Sequence, residues 1–600
     1  MTRTPTTDAR QMLADLQKTL ALVWEASPLH ATVVLVSSLL QAFAPAATLW
    51  VSKLLLDAVA LASQQKLEGG LGTLSNLLIL QVLVGALVVL LGTFQGASRE
   101  LLGDSLQNKI TRKILQKSAN LEVEQFENAK TYDALKNAYN EVGFRPIGVA
   151  TQVLGLLQAV ITLTSIGVLL AQLGWLVLLL TLVATLPGVL VSNRFGAESY
   201  RMVRRRTPDA RVQNYLGALL TSDQLVKEVR LFSFEPYLLQ RWQEYYQKFR
   251  VQLVPLITRR SAWSFAASLL SSLLIGVATF SVLVRASEGR ITVGDFAMFV
   301  GGLGQVQGQF SNLLSGVSGI YQNLLYMRNL FEFLELPQRD LDAGLVWNEP
   351  IQSIEFEHVA FRYPLTERDV LKDISFKVSR GQALALVGEN GAGKTTIVKL
   401  LTRLFEPTSG RILLNGKDAA HYSPRSVQQQ MSIVFQDYGQ YQMTARENVA
   451  LGQLSAISDD AAVQRAGEQS GANEFVQDLP NGYDTMLGRM FEGGRQLSGG
   501  QWQRLALSRL YFRQASVLVF DEPTAALDAQ AEFNTIEALR EQSKDRITVL
   551  ISHRFSTVRL ADQIVVLEHG LVQESGSHAV LLEQGGIYAA LFRLQARGFE

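Results

Sequence analysis

Residues 388–396 read Gly388-Glu389-Asn390-Gly391-Ala392-Gly393-Lys394-Thr395-Thr396. Glycines in such a loop let backbone N–H groups turn inward around phosphate oxygens, and the helix N-terminus beyond them adds partial positive charge. The loop follows Ala383-Leu384-Ala385-Leu386-Val387, an apolar run of the kind that forms a buried strand. In that setting Lys394 would reach the β- and γ-phosphates of a nucleotide and Thr395 would ligate Mg²⁺. A second apolar run, 517–520, ends in Asp521-Glu522. In a parallel sheet that end lies beside the phosphate loop. There Asp521 would hold Mg²⁺, and Glu522 would polarise an attacking water. The chemistry these residue types suit is phosphoryl transfer from a nucleotide to water.

Between the two motifs stands Leu497-Ser498-Gly499-Gly500-Gln501, followed by a helical stretch over 502–512. With this sequence in place, the chain resembles the ATP-binding cassette transporters, specifically bacterial exporters that fuse six spans to one nucleotide domain. The resemblance covers nearly the whole chain. It implies that Ser498, Gly499, Gly500 and Gln501 form the signature that closes over ATP bound to the opposite subunit. It implies that Tyr363, in Phe361-Arg362-Tyr363-Pro364, stacks on adenine. Gln436, in Val434-Phe435-Gln436-Asp437, would sense Mg²⁺ and water and couple to the membrane domain. Asp528, in Ala525-Ala526-Leu527-Asp528, would lie on the loop that crosses the dimer interface. His553, after the strand 548–552, would contact the γ-phosphate. On this reading Glu522, His553 and Gln436 are catalytic, and Thr395, Gln436 and Asp521 hold the metal. Gly388, Asn390, Gly391, Gly393, Lys394, Thr395 and Thr396, with Tyr363, the signature and Asp528, would bind ATP.

Two positions depart from the pattern. Related exporters often carry Glu-Arg-Gly before the signature, whereas this chain has Phe491-Glu492-Gly493-Gly494 and lacks the arginine. That stretch is similar to a bacterial subgroup that includes lanthipeptide exporters. Position 525 is Ala where Ser is common, which removes only a hydroxyl.

These groups need a platform and a partner, and the first half of the chain supplies a membrane. Five runs before residue 330 contain no Asp, Glu, Lys or Arg: 26–52, 69–98, 146–193, 261–284 and 296–327. A bilayer core of about 30 Å needs about 20 apolar helical residues. The third run is long enough for two spans, with a tight turn at Gly174-Trp175. Six spans follow, at roughly 27–56, 70–98, 147–172, 175–196, 262–284 and 294–327. The segments 99–145 and 198–260 between them are rich in Lys and Arg, so both face the cytosol with both termini. Trp50 and Trp175 then mark the outer interface, and Trp24 and Trp263 the inner one. Leu13, Leu16, Leu20 and Val23 predict an amphipathic helix on the inner surface. The two long loops predict helices that continue into the cytosol, with elbows near Phe126–Asp133 and Lys227–Phe232. In the sixth span Gln305, Gln309, Asn312 and Asn323 share a stripe with Gly316 and Gly319 and are expected to face a cavity. Packing against another helix is the alternative.

The expected architecture is an α-helical six-span transmembrane domain over 1–336 with long cytoplasmic helical extensions. An α/β P-loop ATPase domain follows over 345–600. Composition agrees. The 600 residues carry 55 Lys+Arg and 54 Asp+Glu, a net charge of +1, which excludes a polybasic nucleic-acid binder. There is no cysteine, which excludes disulfide scaffolds, thiolate zinc sites and a thiol leader-peptidase domain. Residues 1–24 are polar, so no cleaved signal peptide is expected. One nucleotide domain and six spans make half a transporter. With every checked catalytic position intact, a homodimer is favoured over a heterodimer. The expected site is a bacterial cytoplasmic membrane. The expected cargo is a peptide or amphiphile, with flipping of a lipid or lipid-linked glycan as the alternative.

Overall fold

The computed structural model describes residues 9–64, 70–128, 131, 134–136, 138–139, 145–222, 225–364, 366–522 and 529–596. By internal contact it divides into two compact units. One comprises Met1–Ser118 and Asp133–Leu336, the other Ala119–Tyr132 and Pro337–Glu600.

The first half is helical. Its described elements are α1 (Ala9–Ala26), α2 (Pro28–Gln41), α3 (Ala44–Ser63), α4 (Gly70–Ala119) and α5 (Val123–Glu127). They continue with α6 (Arg145–Ala171), α7 (Trp175–Thr221), α8 (Val226–Leu231), α9 (Glu235–Ser287) and α10 (Val293–Leu334). At about 1.5 Å per residue, α4 is about 75 Å long, more than twice the thickness of a bilayer core. The helices therefore do run on past any membrane. The short α5 and α8 stand where the two elbows are expected. Phe126 and Phe232 are exposed there, while Tyr132 and Asp133 lie outside the described residues.

Five described helical segments are long and apolar enough to cross a membrane: Pro28–Ser63, Leu71–Ala119, Arg145–Ala171, Leu179–Gly196 and Glu235–Ser287. The sixth expected span, within α10, is charge-free over 296–327 but carries so many Gly, Gln, Asn and Ser residues that its apolarity is lower. The first span is broken between α2 and α3. Pro45 has no N–H to offer the Gln41 carbonyl and continue the ladder, and at the same break the Ala42 carbonyl accepts from the Thr162 hydroxyl of α6 at 2.7 Å. The turn into α7 is made by Gly174, whose φ of +122° suits a residue without Cβ.

Within this unit α7 packs along α9, and α6 along α10. The polar stripe of α10 divides. Asn323 is buried; its amide donates to Gln152 of α6 at 3.1 Å and its oxygen accepts from Arg145 at 3.2 Å. Gly316 and Gly319 lie close against Leu156 and Gln152 of the same helix. This end of the stripe packs against another helix rather than facing a cavity, because the missing Cβ atoms let α6 approach. Gln305 and Asn312 are exposed.

The second unit is built on a sheet that has ten strands among the described residues; with β5 (Lys417–Asp418), β9 (Gln563–Glu568), β10 (Leu571–Gly576) and the strands given next, the order is β5-β4-β1-β2-β10-β9-β3-β8-β7-β6. The strands that bear on the site are β3 (Ala383–Gly388), β6 (Met431–Val434), β7 (Val517–Asp521) and β8 (Ile547–Ile551). These four are neighbours and parallel. They read as unbroken apolar runs because both faces are covered: every residue of β3, β7 and β8 is buried. The antiparallel strands β1 (Ser353–Phe361), β2 (Leu371–Ser379) and β4 (Ser409–Leu414) form the outer wing.

Candidate nucleotide site

Four loops leave the carboxyl ends of those adjacent strands. The phosphate loop follows β3, His553 follows β8, Asp521-Glu522 ends β7 and Gln436 follows β6. The crevice at the carboxyl ends of parallel strands is where such sheets bind ligands.

The phosphate loop depends on its glycines. Gly388, Gly391 and Gly393 have φ values of +153°, +84° and +105°. A Cβ on Gly388 would collide with the Leu567 carbonyl oxygen, and one on Gly393 with the Leu371 side chain. Gly393 caps α11 (Lys394–Leu401). Lys394 is buried, and its Nζ donates to the Gly388 and Glu389 carbonyls at 2.7 and 2.9 Å. Burial holds its pKa below the ordinary lysine value, opposed by the charges of Glu522 and Asp521. A cavity of about 480 Å³ opens beside the loop, lined by Glu389, Asn390, His553 and Phe555 among others.

Asp521 is 2% exposed. Burial pushes its pKa up to about 6. A hydrogen bond with Thr395 opposes this, the nearby Glu522 charge adds to it, and Lys394 opposes it. A buried carboxylate bonded to a hydroxyl offers hard oxygen donors of the kind Mg²⁺ prefers. Among the described residues no three His, Asp or Glu side chains stand together as a metal site. A magnesium ion here would therefore draw further ligands from nucleotide oxygens and water, as is usual for this metal. The donors fit the ion.

Glu522 is gripped on both oxygens. Gln436 Nε2 donates to Oε2 at 2.8 Å, and His553 Nε2 lies 3.1 Å from Oε1. Its φ is +53°, a left-handed conformation that costs about 1–3 kcal/mol in a residue with a side chain. The Glu522 N–H donates to the Ile551 carbonyl at 2.9 Å, which fixes this turn to β8. Strain of this kind clusters at functional sites. The structure thus brings Gln436, Glu522 and His553 together, and Lys394, Thr395 and Asp521 together, at neighbouring strand ends.

Tyr363 is half-buried. Its ring packs edge-on against Phe361 and Phe405, with centroids 4.8 and 5.4 Å away. Its hydroxyl stands 3.2 Å from Thr396 Oγ1, and Lys399 Nζ lies 5.3 Å from the ring centroid. The ring is thus tied to the first turn of the phosphate-loop helix.

The signature residues sit at the start of α14, counted after α12 (Ala445–Ala450) and α13 (Asp460–Ser470) and spanning Gly499–Phe512. Ser498 is its N-cap. The Ser498 oxygen accepts from the Gln501 N–H at 3.3 Å, and Gln501 Oε1 accepts from the Ser498 N–H at 2.9 Å. This capping box leaves other first-turn N–H groups directed outward, a ready anion site. Asp528 lies outside the described residues.

Three features escape a linear reading. The Tyr438 hydroxyl donates to the Gly499 carbonyl at 3.0 Å, joining the glutamine loop to the signature helix. Gln442 Oε1 accepts from the Arg489 and Met490 N–H groups at 3.1 and 2.7 Å, so an amide organises the stretch that lacks the usual arginine. Glu532 reaches Arg554 and Ser556 beside the histidine. Each partner lies tens of residues from the other or more, and no local pattern marks them.

The match of residues 31–310 is to the ABC transporter transmembrane region, and that of 371–525 to the ABC transporter family. The subtilin transport ATP-binding protein SpaT of Bacillus subtilis is 32% identical over 483 residues, 80% of this chain and 78% of that protein. The nisin transport ATP-binding protein NisT of Lactococcus lactis subsp. lactis is 26% identical over 583 residues, 97% and 96% of the two chains. An ATP-dependent lipid A-core flippase of Burkholderia pseudomallei (strain 1710b) is 35% identical over 371 residues, 62% and 61% of the two chains. A solved bacterial Atm1-family ABC exporter with ATP bound superposes with a TM-score of 0.75 at 26% identity, covering 98% of this chain and 99% of that one. The phosphate loop, the paired acids, the signature helix and the membrane-length helices thus stand in one chain, and the chain belongs to the ABC transporters, as an ATPase coupled to transport with membrane and ATP-binding regions fused.

Proposed function

We propose that this chain is half of an exporter that moves a peptide or amphiphile out of the cytoplasm by alternating access. ATP is hydrolysed at two composite sites formed by two copies. The observation that carries the reading is the Glu522 carboxylate, held between Gln436 and His553 beside the phosphate loop, in a chain with helices of membrane length.

In this reading Glu522 draws a proton from the water that attacks the γ-phosphate. The bonds from Gln436 and His553 aim its oxygens. Lys394 moves from loop carbonyls to phosphate oxygens, exchanging neutral partners for charged ones. Tyr363 stacks on adenine. The Gly388–Thr396 loop wraps the phosphates. Ser498, Gly499, Gly500 and Gln501 present a helix N-terminus to the ATP of the other copy, with Asp528 at the interface. A magnesium ion, held by Thr395, Asp521 and Gln436, would neutralise phosphate charge.

Both halves of a composite site are encoded in one chain, which supports a homodimer; a heterodimer is the alternative. We place domains at 1–336 and 345–600, with six spans in a bacterial cytoplasmic membrane and both termini in the cytoplasm. The basic segments 99–145 and 198–260 support that orientation.

The subtilin and nisin relatives support a peptide cargo. The lipid A-core flippase relatives support the second reading, a lipid or lipid-linked glycan. The test is ATP turnover in lipid discs against a panel of lanthipeptides, other peptides and lipid-linked glycans. Saturable stimulation by peptides supports export of that class. Stimulation by the lipids alone would move the assignment to a flippase, and ATP hydrolysis without transport in proteoliposomes would reject both.

A further inference from the structure

The turn that carries His553 is held at a second point, away from the reacting groups. Glu532 lies on α15 (Ala529–Ser543), and its side chain is only 18% exposed. One of its oxygens pairs with Arg554, the residue after the histidine. The other accepts from the Ser556 hydroxyl at 3.0 Å. Ser552, on the other side of the histidine, closes the turn: its Oγ accepts from the Arg554 N–H at 3.0 Å and donates to the Arg554 carbonyl at 3.3 Å. Phe555, which opens α16 (Phe555–Val558), packs against Tyr588 and Phe592 of α17 (Ile587–Ala596) at centroid distances of 5.4 and 5.2 Å.

Two acids of one chain segment therefore meet one turn. Glu522 meets the histidine ring, and Glu532, ten residues on, meets the backbone neighbours of that histidine. An exposed ion pair contributes little. Here the carboxylate is 18% exposed while the guanidinium is 38% exposed, and Glu532 commits one oxygen to Arg554 and the other to Ser556, so the contact also fixes orientation.

We propose that Glu532 is a positioning residue for His553: through Arg554 and Ser556 it sets the turn at which the imidazole meets Glu522. The proposal rests on the reading of His553 as part of the hydrolytic site. Without Glu532 the turn keeps its Phe555 anchor but loses its rotational stop, and the contact with Glu522 is no longer fixed.

The test uses the full chain in lipid discs and compares kcat, ATP affinity and Tm. Glu532→Ala should lower kcat about tenfold, since small misplacements of reacting groups carry such factors. KM for ATP and Tm should stay close to the parent values. Glu532→Gln keeps an acceptor for Ser556 and should lose less, and it serves if the alanine variant folds poorly. The deciding measurement is a double-mutant cycle. In a His553→Ala background, Glu532→Gln should cost nothing further, because its effect passes through the missing ring. The same fold-loss in both backgrounds overturns the proposal, as does a loss of kcat that merely follows a loss of Tm in both Glu532 variants. Parent turnover in His553→Ala alone would instead overturn the role of the histidine.

Discussion

In the helical region Leu83, Phe94 and Trp175 are 61%, 59% and 75% exposed. In the nucleotide region Leu384, Leu386 and Val519 are each 0% exposed. The same residue types point outward in one region and inward in the other. Water explains the second arrangement: burial removes apolar surface from it. Hydrocarbon explains the first, because lipid tails are as apolar as leucine and give no reason to turn inward. Helix contacts there rest instead on close approach, as at Gly316 and Gly319 against α6, and on interhelical hydrogen bonds such as Thr162 to Ala42 and Asn323 to Gln152.

The sharpest divide between the regions is chemical. Glu522→Gln should cut ATP turnover by about 10²–10⁴ while ATP still binds and the helical region stays folded. Steady-state hydrolysis and nucleotide binding on the same preparation check this. Normal turnover would remove Glu522 from the role of base.

Next is a matched pair of truncations. Leu386→Ala should cost about 2–5 kcal/mol, since it opens a cavity in a packed sheet. Leu83→Ala removes the same atoms from an outward face of α4 and should cost well under 1 kcal/mol, roughly the scale of a surface change. Thermal unfolding of both variants in lipid discs tests the contrast. A large loss at Leu83 would mean that a protein surface, not lipid, covers that face.

The smallest effect concerns a charge in the dry region. Asp521 titrates near pH 6, above the ordinary aspartate value of 3.8. Between those values the folded state binds the proton that the unfolded chain has released. Stability from this group is therefore full below about pH 4 and is lost as pH rises through about 6. Asp521→Asn should raise the Tm of the nucleotide-free protein by a few degrees at neutral pH, and should change little at pH 4. Turnover should be lost at both. A Tm gain that does not depend on pH would assign the effect to packing instead.

How much of this was legible depends on distance along the chain. The phosphate loop could be read because its glycines, strand and helix lie within a few residues. The Ser498–Gln501 box is likewise local, a cap and its partner three residues on. The long helices followed from charge-free runs. The α2–α3 break did not, although Pro45 hints at it, because the bond that satisfies Ala42 comes from Thr162. The inward packing of Asn323 was also hidden, since a polar stripe looks the same whether it faces a cavity or Gln152.

The amino-acid sequence alone determined which groups could hold phosphate, metal and water, and which segments could lie in lipid. Those properties belong to residue type and near-neighbour spacing. Only the tertiary structure decided that Gln436 and His553 grip the two oxygens of one carboxylate, that Glu522 takes a left-handed backbone, and that Glu532 stands behind the histidine. The order β3-β8-β7-β6 decides these, since it sets side by side strands that are far apart in the chain. That order is fixed by the collective burial of apolar strands, which no short stretch of sequence contains.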